Sequence, residues 1–158
     1  MFDLKGLHGS EAHAKISRLL RYVLGRIPED DLIELSTINI VLLLADKSAS
    51  YHYPVYVSQH EQGSELIKVN LILLSPGITE RPEESAIYII AHELSHAYLN
   101  HSMLVDTEES RKREIEADEQ VIKWGFANEL NSEPDNYIYG NGLKKLLHIQ
   151  QADDVFIS

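Results

Sequence analysis

Three short segments of β-forming residues lie together in the first half of the chain, and segments with helical spacing flank them on both sides. Residues 38–45 and 67–74 are rich in leucine and isoleucine, and residues 51–58 are aromatic and alternate partially, so each segment predicts a β-strand. Pro54 cannot donate to a sheet ladder, which predicts that its strand lies at an edge or a bulge. Because strands and helices are segregated along the chain, we expect an α+β domain with a small, mostly antiparallel sheet of three strands.

Four predicted helices surround these strands. They cover residues 10–26, 82–101, 111–130 and 142–151, with a loop at 131–141. In the first helix the apolar residues recur at intervals of three and four, Ser10 can serve as the N-terminal cap, and the proline and acidic residues at 28–31 end the helix. Pro82 suits the first turn of the second helix, where a missing backbone N–H costs nothing.

The charge balance excludes two classes of partner. Lys and Arg number 14 against 25 Asp and Glu, which gives a formal net charge of −11. A nucleic-acid-binding surface needs Lys and Arg to neutralise phosphates, and an anionic membrane surface attracts the same residues. We therefore expect neither nucleic acid nor membrane as a partner, and the length of 158 residues suits a single domain spanning 1–158.

The chain contains no cysteine, so a metal site must be built from histidine and carboxylate side chains. The same absence suits a reducing compartment. Residues 1–10 lack the basic region and apolar stretch of a signal peptide, and the longest apolar runs are far shorter than the roughly 20 residues of a membrane-spanning helix. We expect a cytoplasmic protein.

The segment 91–97, with the sequence AHELSHA, combines two histidines with a glutamate. His92 and His96 are four residues apart, so on a helix they lie one turn apart on the same face and both imidazoles can reach one metal ion. Glu93 is about 100° round the helix from His92, which suits a base that acts beside a metal without binding it. The alternative is a pair of ordinary surface or core histidines, because the pattern fixes only three positions.

A second segment supplies a candidate third ligand. Glu114, Ala117 and Asp118 share one face of the next predicted helix. A catalytic zinc ion takes three protein ligands, and Glu114 can be the third. Asp118 can then accept the free N–H of a liganding histidine and fix the orientation of its ring, while the small Ala117 lets the helices approach closely. Glu116 is the rival ligand, but it faces roughly the opposite side of the helix. The alternative for this segment is a solvated, charged helix face.

These motifs resemble the gluzincin metallopeptidases, whose pattern is His-Glu-x-x-His followed on a later helix by a glutamate ligand. The string EIEAD at 114–118 is similar to the glutamate motif of the HtpX and CAAX-prenyl-protease family, which implies Glu114 as a zinc ligand and Asp118 as the support of a histidine. The layout over residues 10–130 resembles the compact minigluzincins. That resemblance implies a zincin-like fold with an N-terminal helix, a three-stranded sheet and two active-site helices. The chain departs from the membrane relatives in having no predicted transmembrane segment.

The chemistry expected of this arrangement is zinc-dependent hydrolysis of a peptide or protein substrate. One Zn²⁺ held by His92, His96 and Glu114 lowers the pKa of a bound water, and Glu93 acts as the general base that accepts the water proton. Glu93 then returns the proton to the leaving amine, so no covalent intermediate is needed.

Other residues are candidates for further roles in the site. His101 lies near a helix end, where a positive charge is favourable. The gluzincin resemblance implies that the substrate is added as an extended strand along 51–58 or 67–74. An oxyanion needs an additional donor. The candidates, each of which also fits a packing or surface role, are Tyr137, Tyr139 and His148.

Three other functions remain open from the sequence. The first is a regulatory or metal-binding interaction protein with little general protease activity, of the ImmA/IrrE type that the segment with His101 loosely resembles. Glu93 argues against it, because a structural metal site needs no base there. The second is a scaffold protein with a chance motif. The third is a latent enzyme whose residues 153–156 cover the cleft. The sequence does not define the substrate, the oligomeric state or the choice among divalent metals.

Overall fold

The computed structural model describes residues 11–44, 51–58, 66–101 and 107–131. Within these ranges the chain forms five α-helices and three strands, which confirms an α+β architecture. In chain order the elements are α1 (Glu11–Leu24), α2 (Glu29–Thr37), β1 (Ile40–Leu44), β2 (Tyr51–Ser58), β3 (Leu66–Leu74), a short 3-10 helix (Pro76–Thr79), α3 (Glu83–Tyr98), α4 (Thr107–Lys123) and α5 (Ala127–Asn131).

The three predicted strands form one sheet in the order β1-β3-β2. β2 and β3 pair antiparallel, from Tyr51 opposite Leu73 to Ser58 opposite Leu66. β1 and β3 pair parallel, with Ile40 opposite Asn70. The sheet is therefore mixed rather than mostly antiparallel, because β3 returns between its two partners and runs in the same direction as β1. The position of Pro54 on an edge strand is confirmed, since β2 pairs only with β3 among the described residues.

Helix α2 corrects the prediction that the proline and acidic residues at 28–31 only end the preceding helix. α1 does end at Leu24, but Pro28 then takes the N-cap position of a new helix whose first turn contains Glu29, Asp30 and Asp31. Acidic side chains at a helix N-terminus interact favourably with the helix dipole, so the same residues begin α2. Leu35 anchors this helix in the core. Ser10, the expected cap of α1, lies outside the described residues.

Helix α3 is the central element of the core. Every residue from Ser85 to Ala97 is buried, and the helix packs against α1, α2, α4 and α5 and against strands β2 and β3. β3 turns alternate side chains towards this core, namely Asn70, Ile72 and Leu74, as the two-residue period of a strand requires. The segment 91–97 is thus held on a helix with little freedom to move.

The helix predicted over 111–130 is interrupted. α4 ends at Lys123, Gly125 adopts a positive φ of 87°, and α5 follows. Glycine tolerates this left-handed conformation because it has no Cβ. The Arg26 guanidinium stabilises the turn between α4 and α5 by contacting the Gly125 carbonyl and the Glu129 carboxylate. It also lies 4.3 Å from the centre of the Phe126 ring. The loop at 131–141 and the last predicted helix fall mainly beyond the described residues.

None of the helices in the described ranges is both long and apolar enough to cross a membrane.

Candidate metal centre

Helices α3 and α4 bring His92, His96 and Glu114 to one point. The Nε2 atoms of the two histidines lie 3.0 Å apart, the expected result of four-residue spacing on a helix. The Glu114 carboxylate lies 3.0 Å from Nε2 of His92 and 3.5 Å from Nε2 of His96. One ligand atom from each residue lies within 4.8 Å of the other two, so this group can hold a metal ion.

The residues present fit a divalent cation of the zinc type. Zn–N bonds of about 2.0–2.1 Å in a tetrahedral site place neighbouring ligand atoms about 3.3 Å apart, which is close to the separations seen here. Two imidazoles and a carboxylate are a common donor set for this ion, and the chain has no thiol that would compete.

The charges of this cluster are set by its own hydrogen bonds. Burial opposes a charge on His92, but hydrogen bonds to Asp118 and Glu114 outweigh it and raise the pKa of His92 to about 10. Burial likewise tends to raise the pKa of Glu114, but its hydrogen bonds to His92 and His96 prevail and hold that pKa below its usual range. Glu114 is therefore a carboxylate at neutral pH, and a metal ion that binds His92 replaces the proton on Nε2.

Glu93 is buried beside this cluster and carries no ligand atom in it. Burial is the largest influence on this carboxyl and raises its pKa to about 7, while His92 lowers it and Glu114 raises it. A group whose pKa lies near the working pH can both accept and release a proton, which is the requirement for general acid–base catalysis.

The far side of the His92 ring contacts Asp118, as the sequence predicts. Nδ1 of His92 lies 2.9 Å from Oδ1 of Asp118, a carboxylate with no exposed surface. The Tyr88 hydroxyl donates to the same oxygen at 2.6 Å. Sequence reasoning missed Tyr88, although its position four residues before His92 places both on one helix face. These contacts fix the His92 ring with Nε2 directed at the cluster.

The far side of the His96 ring contacts His101 instead. Nδ1 of His96 lies 2.8 Å from Nδ1 of His101, and Nε2 of His101 lies 3.2 Å from the Glu116 carboxylate. Burial, followed by the effect of His96, lowers the pKa of His101, which argues against the expected positive charge at the helix end. Glu116 faces His101 rather than the metal-binding group, so the structure brings Glu114 and not Glu116 to the histidine pair.

Close contact between α3 and α4 makes this convergence of side chains sterically feasible. Ala117 is fully buried, as its small size predicts. The Ser95 hydroxyl lies 2.7 Å from the His92 carbonyl oxygen and 3.2 Å from the Ala117 carbonyl oxygen, so it links the two helices beside the cluster. A larger residue at 117 would separate Glu114 from the histidines.

The structure describes the two candidate substrate strands but not the candidate oxyanion donors. β3 is paired on both sides, so of the two predicted substrate strands only β2 has an unpaired edge among the described residues. The predicted donors Tyr137, Tyr139 and His148, and the tail at 153–156, lie outside the described residues.

Comparison of the chain with protein-family models, with curated proteins and with solved structures finds no match.

Proposed function

We propose that this chain is a zinc-dependent peptidase of the gluzincin type with a zincin-like fold. His92, His96 and Glu114 hold one Zn²⁺, and Glu93 is the general base. The observation that carries the proposal is the convergence of two Nε2 atoms from α3 and the Glu114 carboxylate from α4. Glu93, which follows His92 in the sequence, adds a second, buried carboxyl beside them. A site that only binds metal has no need of that buried Glu93.

Each residue has a defined task in this reaction. The zinc ion supplies a Lewis acid that polarises the scissile carbonyl and makes water more acidic. Glu93 accepts the proton of the attacking water and delivers it to the leaving amine. Asp118 and Tyr88 hold the His92 ring so that Nε2 keeps its direction during the reaction.

We further propose that the peptide binds as an additional strand along β2. This strand lies at the sheet edge and contacts α3, the helix that carries the histidines. Strand addition lets backbone hydrogen bonds hold a peptide of varied sequence, because the interaction uses main-chain groups.

The test compares the wild type with Glu93→Gln and Glu119→Gln, all loaded with one equivalent of zinc, on casein and on a peptide library. Glu119 is an exposed residue of α4 and does not belong to the group of His92, His96 and Glu114, so it provides the matched control. We expect Glu93→Gln to keep zinc and to lose about 100- to 10,000-fold in rate, and Glu119→Gln to cleave as the wild type does.

Two results would contradict the proposal in different ways. A wild type that binds zinc tightly and cleaves nothing supports a regulatory or metal-binding protein. A wild type that takes up no zinc supports a scaffold protein in which the motif arose by chance.

A further inference from the structure

The two candidate histidine ligands are supported on their Nδ1 sides by different groups. Nδ1 of His92 faces the Asp118 carboxylate at 2.9 Å. Nδ1 of His96 faces another imidazole, that of His101, at 2.8 Å. His101 is 8% exposed, so this contact lies in the protein interior. A buried imidazole that contacts the far side of a candidate ligand is a candidate for a positioning role.

The end of α3 places His101 there. Asn100 adopts a φ of 57°, its backbone N–H donates to the Ala97 carbonyl, and the His101 N–H donates to the His96 carbonyl at 3.0 Å. This pair of bonds is the Schellman motif, in which a left-handed residue turns the chain back over the last helical turn. The motif brings residue 101 next to residue 96, and Asn is one of the few non-glycine residues that adopt this conformation at low cost.

The contacts of His101 favour one arrangement of the protons. Nε2 of His101 lies 3.2 Å from the Glu116 carboxylate, which can only accept, so a proton on Nε2 suits this contact. A neutral imidazole has a proton on one nitrogen only, which leaves Nδ1 of His101 as an acceptor. Nδ1 of His96 then carries the proton between the two rings, and Nε2 of His96 keeps the lone pair that a metal requires.

We propose that His101 and Glu116 are positioning residues of the metal centre: the Asn100 turn places His101 so that it accepts the Nδ1 proton of His96, and Glu116 holds the His101 ring. This role rests on the proposed metal site. It assigns to Glu116, the rejected rival ligand, a function one step further from the metal.

The test measures zinc affinity by competition with a chromophoric chelator and records the visible spectrum of the cobalt-substituted protein. His101→Phe keeps a ring but removes the acceptor, whereas His101→Asn keeps an acceptor oxygen near the position of Nδ1. We expect His101→Phe to lower zinc affinity about 10- to 100-fold and to change the cobalt spectrum, as loss of such a partner does in metal sites. His101→Asn should restore most of the zinc affinity and of the cobalt spectrum of the wild type, which a purely structural role of the ring would not predict.

Glu116→Ala provides a second variant that preserves the buried ring. Because Glu116 is partly exposed, its removal frees Nε2 of His101 without opening the core. We expect a smaller but measurable loss of zinc affinity, with Glu119→Ala unchanged as the control. If His101→Phe fails to fold, the comparison of Glu116→Ala with Glu119→Ala decides whether His101 positions His96.

The outcomes separate this inference from the proposed function. Equal zinc affinities and identical cobalt spectra in wild type, His101→Phe and Glu116→Ala overturn the positioning role and leave the peptidase proposal standing. A wild type that binds zinc but cleaves no peptide overturns the peptidase and leaves the affinity comparison valid. A wild type that takes up no zinc overturns both.

Discussion

Two clusters of polar side chains lie between α3 and α4, and they differ in how their hydrogen-bond donors and acceptors face each other. In the Asp31 cluster, one carboxylate of α2 accepts from the Tyr98 hydroxyl at 3.0 Å, from Nε1 of Trp124 at 2.8 Å and from Nε2 of Gln120 at 3.3 Å. In the metal cluster, one ligand atom from each of His92, His96 and Glu114 lies within 4.8 Å of the other two, so the group can hold a metal ion.

The Asp31 cluster is formed by protein groups alone, whereas the metal cluster has the geometry to hold a cation. In the Asp31 cluster, three neutral donors of the protein bond to one carboxylate, so donors and acceptor are paired without any added ligand. In the metal cluster, burial opposes a charge on His92, but hydrogen bonds to Asp118 and Glu114 raise the pKa of His92 to about 10. Its Nε2 therefore carries a proton that faces Glu114 and His96, and a divalent cation can take the place of that proton.

The largest effect is expected from Glu114→Gln. The amide keeps the shape of the side chain but is a poor ligand, and zinc binding of about 10–16 kcal/mol divided among a few ligands gives a loss on the order of 1,000-fold in affinity. Zinc titration against a chelator measures it. The exposed Glu119→Gln is the control, and equal affinities of the two variants would remove Glu114 from the cluster.

Zinc should also stabilise the folded protein. An ion that binds only the folded state at 100 times its Kd contributes about 2.7 kcal/mol, so the thermal midpoint rises when zinc is added and falls back when a chelator is added. Calorimetry of the wild type and of Glu114→Gln measures the difference. A midpoint that does not respond to zinc in the wild type would contradict the convergence of ligands.

A somewhat smaller effect, on stability alone, is expected from Asp31→Ala. The change leaves buried donors of Trp124 and Gln120 without their acceptor, and each such loss costs about 1–3 kcal/mol, so we expect unfolding to become about 2 kcal/mol easier. Urea denaturation measures this free energy. Zinc affinity should stay unchanged, and a parallel fall in affinity would show that the two clusters are not separate.

The smallest effect is expected from Arg18→Gln. Arg18 makes two hydrogen bonds to the Glu83 carboxylate, at 3.0 and 2.7 Å, but both side chains are exposed. Water and salt screen such pairs, so neither the denaturation midpoint nor zinc affinity should change measurably. A clear shift in the midpoint would mean that ion pairing alone, without burial, stabilises this fold.

The parts of this molecule that depend on local periodicity were predictable. The strands, α1, α3 and the shared face of Glu114 and Asp118 follow from spacing within one element, because the helix and strand periods fix which side chains align. The location of His92 and His96 on one face of α3 belongs to the same class. None of these features requires knowledge of how elements pack.

The features that sequence reasoning missed depend on chain reversals and on contacts between elements. α2 was missed because a proline followed by acids both ends one helix and begins another, and the α4–α5 break depends on the left-handed Gly125. The parallel pairing of β1 with β3 is set by packing order rather than by residue pattern. The contact of His101 with His96 requires the Asn100 turn, and its contact with Glu116 requires the approach of α4.

A crystal structure of the zinc-loaded protein, recorded at the zinc absorption edge, shows whether His92, His96 and Glu114 share one cation. We predict one anomalous peak about 2.0–2.2 Å from Nε2 of His92, from Nε2 of His96 and from a Glu114 carboxylate oxygen. A peak held by other residues, or the absence of any peak in a protein soaked with excess zinc, would contradict it.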